Sequence, residues 1–125
     1  MADPAGELIT LLSALPDGDL PAGINLYPAP TEDIVAPAIV IRPSVDWFLP
    51  RSFCDELEHW DALPVVTAST TADGLKLLRS MSLAIVRALQ PPFGWERVDG
   101  PIVDESTGVP FLANRVRLTY VSGGS

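Results

Sequence analysis

TADGLKLLRSMSLAIVRALQ, residues 71–90, is the stretch whose reading decides the fold. Leu75, Leu78, Met81, Ser82, Ile85, Ala88 and Leu89 recur in steps of three and four, which places them on one stripe of a 3.6-residue helix. Lys76, Arg79, Ser80 and Arg87 fall mostly on the opposite side, so the predicted helix is apolar inward and cationic outward. Thr71 or Asp73 suits the free amides of its first turn, Asp73 also suits the positive end of the dipole, and Arg87 suits the last turn. Pro91-Pro92 stops it, because the pair lacks amide donors and biases the preceding residue away from helical angles. Gly74 in the first turn is a small cost in helix propensity.

A stripe of that length needs a sheet to cover, and the flanking segments read as its strands. Residues 63–69 (LPVVTAS) carry Pro64 near the start, where strand prolines are tolerated. After the helix come 93–98 and, past an Asp99-Gly100-Pro101 turn, 102–104. A polar turn over 105–108 leads to 111–121 (FLANRVRLTYV) as a long closing strand. Alternation in that strand sets Leu112, Val116, Leu118 and Tyr120 on a core face and Arg115, Arg117 and Thr119 on the other. Residues 122–125 read as a flexible end.

Upstream, 36–42 (APAIVIR) is an uninterrupted apolar run bracketed by Pro37 and Pro43 and is expected to be central in the sheet. A short strand over 24–27 ends at Pro28-Ala29-Pro30. Asp3-Pro4 reads as a cap and a first-turn proline opening a helix to about residue 15, with Leu8, Leu11, Leu12 and Leu15 on its apolar side. The predicted architecture is therefore α+β: one domain over 1–125, a mainly antiparallel sheet, and an N-terminal helix and a longer second helix packed on it.

Residues 43–61 fit this scheme least. Trp47, Phe48, Leu49, Phe53 and Trp60 are scattered among Asp46, Asp55, Glu56, Glu58 and Asp61. One reading is a long loop whose aromatics tuck into the core edge. The other is an arm or hairpin over 46–61 that projects and meets another protein, since Trp and Phe are favoured interface anchors.

Composition narrows the function classes. The 125 residues are 47% hydrophobic with a mean hydropathy of +0.26, enough for a core rather than a disordered acidic tail. No apolar run is long enough to span a bilayer, and MADPAGELITLLSAL lacks the basic start and long apolar centre of a signal peptide, so a soluble intracellular protein is expected. One cysteine, Cys54, excludes an internal disulfide, and with His59 as the only histidine no Cys/His metal set exists. Phosphate loops, dinucleotide fingerprints and nucleophile elbows are absent. His59 has the chemistry of a base, but a lone His beside Trp60 in an acidic run is more often a surface or packing residue, which Glu58 and Asp61 would simply solvate. Sixteen acids against eight bases, a formal charge of −8, argue against gripping DNA by its phosphates.

Taken together, the N-terminal helix, PAIVIRPSVDW (37–47), ALPVVTAS (62–69), DGLKLLRSMSLAIVRAL (73–89) and FLANRVRLTYV (111–121) resemble the tail terminator proteins of long-tailed bacteriophages, particularly those of actinobacterial hosts. The resemblance covers nearly the whole chain and lies in length, order and hydrophobic texture. It implies a virion protein of the tail and neck, made in the host cytoplasm. Its subunits would form a hexameric ring on the last ring of the tail tube, halt tube growth and present a surface to the head-completion proteins, with DNA passing through the lumen unbound. It implies no catalytic residue and no cofactor. For a ring subunit the candidate interface residues are Trp47, Phe48 and Trp60 in the arm, with Arg79, Arg87, Arg115 and Arg117 as cationic counterparts on a neighbour. Other readings are a head-closure protein, a tube subunit, or a small binding domain or enzyme using His59.

Overall fold

The computed structural model describes residues 3–16, 18–31, 34–50, 55–68, 70–104 and 111–123, with backbone alone at 45–50, 55–56, 104 and 122–123. The elements run α1 (Pro4–Ser13), β1 (Asn25–Tyr27), β2 (Ala38–Pro50), β3 (Asp55–Thr67), α2 (Thr71–Ala88), β4 (Phe93–Asp104) and β5 (Phe111–Gly123). They build one five-stranded sheet in the order β1-β2-β3-β5-β4. Only the β1–β2 pairing is parallel; β2–β3, β3–β5 and β4–β5 are antiparallel. Both helices pack on one face, an α+β arrangement as the sequence predicts.

Register explains which side chains go where. Ile39 pairs with Pro64 and Ile41 with Ala62, while across the next boundary Trp60 meets Leu118, Ala62 meets Val116 and Val66 meets Leu112. These residues share the helix-side face, and α2 covers them with Leu78, Met81 and Ile85, all fully buried. Leu8 and Leu12 of α1 close the same core. Ser82 is the polar member of the α2 stripe: its Oγ donates to the Leu78 carbonyl at 2.9 Å and accepts from Asn114 Nδ2 at 3.0 Å, which ties the helix to β5. At the far end Tyr120 stacks edge-on against Phe93, with ring centroids 4.9 Å apart. Burial, followed by its hydrogen bond to Glu7 of α1, pushes the Tyr120 phenol above its ordinary range.

The helix starts are built as helix physics requires. Asp3 Oδ1 accepts from the Gly6 amide at 3.2 Å, and Thr70, one residue earlier than the sequence reading placed the cap, accepts from the Asp73 amide at 3.1 Å. Gly74 has a packing reason: a Cβ there would lie 2.6 Å from Leu112 Cδ1, so the helix runs close to the sheet at this point.

Other expectations change. β2 is interior, but the middle strand is β3. Residues 43–61 are no loose loop; most of them continue β2 and β3, and the connection 51–54 lies outside the described residues. The segments 93–98 and 102–104 are one strand, with a register irregularity where the turn was expected. Gly100 sits there at φ +123°, and a Cβ would meet Asn114 Oδ1 at 2.7 Å. β5 runs on to Gly123, and the last two residues lie outside the described set.

Leu78→Ala should lower unfolding stability by about 2–5 kcal/mol, because α2 cannot collapse into the gap while anchored at both ends. Gly100→Ala should cost about 1–3 kcal/mol through backbone strain. Chemical denaturation midpoints at constant m-value check both, and an unchanged midpoint for Leu78→Ala would remove that side chain from the core.

Candidate functional site

The residues that set the site's geometry lie in β4. Trp95 pairs with Leu118, Arg97 with Arg117 and Val98 with Val116, so Glu96 and Arg97 together oppose one residue of β5. This bulge breaks the alternation once. Trp95 and Val98 end on the helix side, while the two charged residues between them both turn to the open face. One extra residue thus sorts the 95–98 stretch of this edge strand into an apolar side and an ionic side.

On the open face, charges alternate across the strands. Arg42 of β2 places Nε 3.4 Å from Asp61 Oδ2. Asp61 is register-paired with Arg117, whose Nε lies 3.2 Å from Glu96 Oε2. The same Glu96 oxygen is 3.3 Å from His59 Nε2. Further along, Asp99 accepts from Arg97 Nε at 3.1 Å and from Arg115 Nε at 3.2 Å. Asp61 is 2% exposed and the Arg117 side chain 11%. The long arginine stems help to shield the carboxylates, though Asp61 Oδ1 is buried without a hydrogen-bond partner.

The helix side of the same edge is open. Leu75, Arg79, Leu83 and Val86 of α2 face Trp95 and Val98 of β4 across a groove of 360 Å³. Trp95 is 54% exposed and Leu75, Val98 and Val103 stand exposed on the same side, while Ile102, register-paired with Ala113, is exposed on the other face of β4. Five of the six exposed large apolar side chains among the described residues therefore gather at α2 and β4. Arg79 is the only charged residue in the lining.

Of the residues singled out from the sequence whose side chains are described, only Arg115 and Arg117 share a surface. Trp60 is buried in the core, its Nε1 donating to Glu58 Oε1 at 3.2 Å, so it is an internal packing residue rather than an arm anchor. Arg115 and Arg117 belong to the ionic network of the open face. Arg79 is exposed at the α2–β4 groove, whereas Arg87 is exposed beside Gly18 and Asp19. Trp47 and Phe48 belong to β2, and their side chains lie outside the described residues. Leu75, expected in the core stripe, is exposed at the groove. His59 is buried against Glu96, not solvated by Glu58 and Asp61 as its neighbours in sequence had indicated. The sequence reading missed Trp95 and Val98, since their exposure follows from β4 being an edge, which strand order alone decides.

Chemically, the ionic face holds charges in fixed pairs and the groove offers an apolar trough. Among the described residues no group of three or more His, Cys, Asp or Glu could hold a metal ion, and no helix is long and apolar enough to cross a membrane. No protein-family model matches the chain, and no curated protein matches it.

Asp99 gives this face a pH signature. The hydrogen bond from Arg115 holds its carboxyl below the ordinary 3.8, partial burial opposes this, and the Arg97 charge adds to the lowering. A carboxylate depressed in the folded state contributes stability that is complete above its unfolded value and is lost as pH falls through the folded one. Stability measured from pH 6 down to pH 2 should therefore fall less steeply in Asp99→Asn than in the parent, from a lower starting point at pH 6. Parallel acid limbs would show that the Arg97–Asp99–Arg115 cluster is not formed in solution.

Proposed function

We propose that this chain is a ring-forming structural subunit of a bacteriophage tail and neck, of the tail terminator type. Copies assemble into a ring that caps the tail tube, stops its growth and presents the opposite surface to head-completion proteins. The reading starts from the resemblance in element order and texture. The observation that carries it is the gathering of Trp95, Leu75, Val98 and Val103 on one side of one edge of the molecule, with Ile102 exposed on the other face of the same strand. A monomer has no use for so much apolar surface in one place, whereas a subunit with a neighbour on that side does.

The rest of the molecule supports a structural rather than a catalytic role. His59, the side chain best suited to act as a base, is buried against Glu96 and Arg117 lies on the same carboxylate, so its position is accounted for by packing. The acidic surface suits a conduit through which DNA passes, because like charge keeps phosphates from adhering.

Electron microscopy of the purified chain mixed with the tail tube protein of the same phage tests this directly. The expected result is closed rings seated on tube ends and tubes shorter than those grown without it. Tubes that grow to unaltered length with bare ends would remove the terminator reading. His59→Ala should leave capping intact, whereas lost capping by a variant that still folds would place His59 at a working surface.

A further inference from the structure

We infer that helix α1 is an exchangeable element: in the assembled protein α1 of one copy seats on the helix-side core of the next, in the place it occupies here on its own chain. This rests on the ring reading above and names a segment that would join its subunits. The backbone supplies the first argument. Among the described residues, the backbone hydrogen bonds of 3–24 outside the helix ladder are all local. The amide of Glu7 donates to Asp3, Ala14 to Thr10 and Leu11, Leu15 to Leu12, Asp19 to Pro16 and Ile24 to Pro21. The first such bond to the body runs from the Asn25 amide to the Pro37 carbonyl at 3.0 Å. The helix also satisfies its own ends, with Asp3 as its cap and Thr10 Oγ1 donating to the Gly6 carbonyl at 3.0 Å. Among the described residues, side chains alone therefore hold α1 in place: chiefly Ala5, Leu8 and Leu12 in the core, and the hydrogen bond between Tyr120 and Glu7. Releasing it breaks no ladder, and the identical site on a second copy restores the contacts that are lost.

The linker supplies the second. Residues 14–24 join α1 to β1. Extended, they span about 36 Å, which matches the diameter of about 35 Å expected of a compact chain of this length. α1 can thus reach the equivalent site of an abutting copy. Pro16, Gly18, Pro21 and Gly23 punctuate the linker, and both glycines hold positive φ values, +96° and +73°, that other side chains resist. The linker also stands off from the helix it follows. A cavity of 480 Å³ opens between Leu12 and Leu15 at the helix end and Leu20, Pro21 and Ile24. A hinge of this kind permits two placements of α1 with the same contacts. Assembly brings the second within reach, because copies held side by side present it at high local concentration. Passing each α1 to the next copy in one direction is a head-to-tail exchange, which closes when the ring closes.

Isotope mixing with photo-crosslinking tests the exchange. Thr10 is exposed and lines a groove between α1 and the 90–93 segment, with Gln90, Pro91 and Phe93 opposite. Benzoylphenylalanine in its place therefore reports which copy α1 sits on without entering the core. Unlabelled and heavy-nitrogen-labelled full chains carrying it are mixed as dilute protein, then assembled by concentration or on tail tube protein, and the linked peptides are weighed. In the assembled fraction, mixed-isotope links from α1 to a peptide containing 90–93 should be as frequent as same-isotope links, whereas the dilute protein should give same-isotope links alone. Same-isotope links alone in the assembled fraction, or up to the solubility limit of a chain that does not assemble, would overturn the exchange. Tyr120→Phe removes the hydroxyl bonded to Glu7 and keeps the ring against Phe93. It should speed the appearance of mixed links about tenfold or more, as loss of a hydrogen bond to a charged group does, with the circular dichroism unaltered. An unchanged rate would overturn the side-chain hold on α1 from which the exchange follows. Rings that cap tubes with same-isotope links alone would leave the terminator reading standing and remove the exchange. Mixed links in a chain that caps no tube would do the reverse.

Discussion

Strand β5 has to satisfy two environments at once, and the rest of the fold depends on its doing so. Leu112, Val116, Leu118 and Tyr120 point into the helix-side core, while Arg115, Arg117 and Thr119 point to the open face between β3 and β4. A slip of one residue would put two arginines under α2 and four apolar side chains in water. The neighbours of β5 hold it in place from both sides. The apolar layer is pressed by Leu78, Met81 and Ile85, and the ionic layer is threaded by Asp61, Glu96 and Asp99. Register is therefore specified by two independent chemistries.

The ionic layer is better regarded as a specifier than as a source of net stability. Burying Asp61 and most of Arg117 carries a desolvation penalty that their mutual attraction offsets only with good geometry. What the pairs do without ambiguity is oppose misalignment: Arg97 faces Arg117 across the β4–β5 boundary, and only the intervening Glu96 and Asp99 make that proximity tolerable. The bulge that admits Glu96 is thus required by the charges, and the same bulge rotates Val98 onto the side of Trp95. The exposed apolar groove and the ionic face are two results of one inserted residue.

Much of this was legible in the sequence wherever a period ran undisturbed. The 3.6-residue stripe of α2, the alternation of β5 and the Asp3-Pro4 start of α1 each have one physical cause that acts locally. The reading failed where tertiary context decides. Leu75 fits the helical stripe but faces the edge strand β4 across the groove, so it is exposed there instead of buried in the core. The 43–61 segment breaks alternation because β2 and β3 shift register between Pro43 and Phe48, which mixes charged and aromatic residues as a loop would. Trp60 looked like an anchor among acids, yet alternate positions in one strand put Trp60 in the core and Asp61 in the ionic layer. The edge position of β4, and with it the exposure of Trp95, has no local signal, because strand order is set by which segments find one another across the whole chain.

The pairing of the open-face arginines has a bearing on polyanions. Arg97, Arg115 and Arg117 already sit within ion-pair distance of protein carboxylates, and Arg42 of Asp61. A nucleic acid gains affinity chiefly by shedding its condensed cations onto free positive charge. Here a passing phosphate would first have to displace a carboxylate from each guanidinium, so little counterion entropy is released on approach. An arginine-rich face paired in this way would offer a polyanion far less free positive charge than its composition suggests.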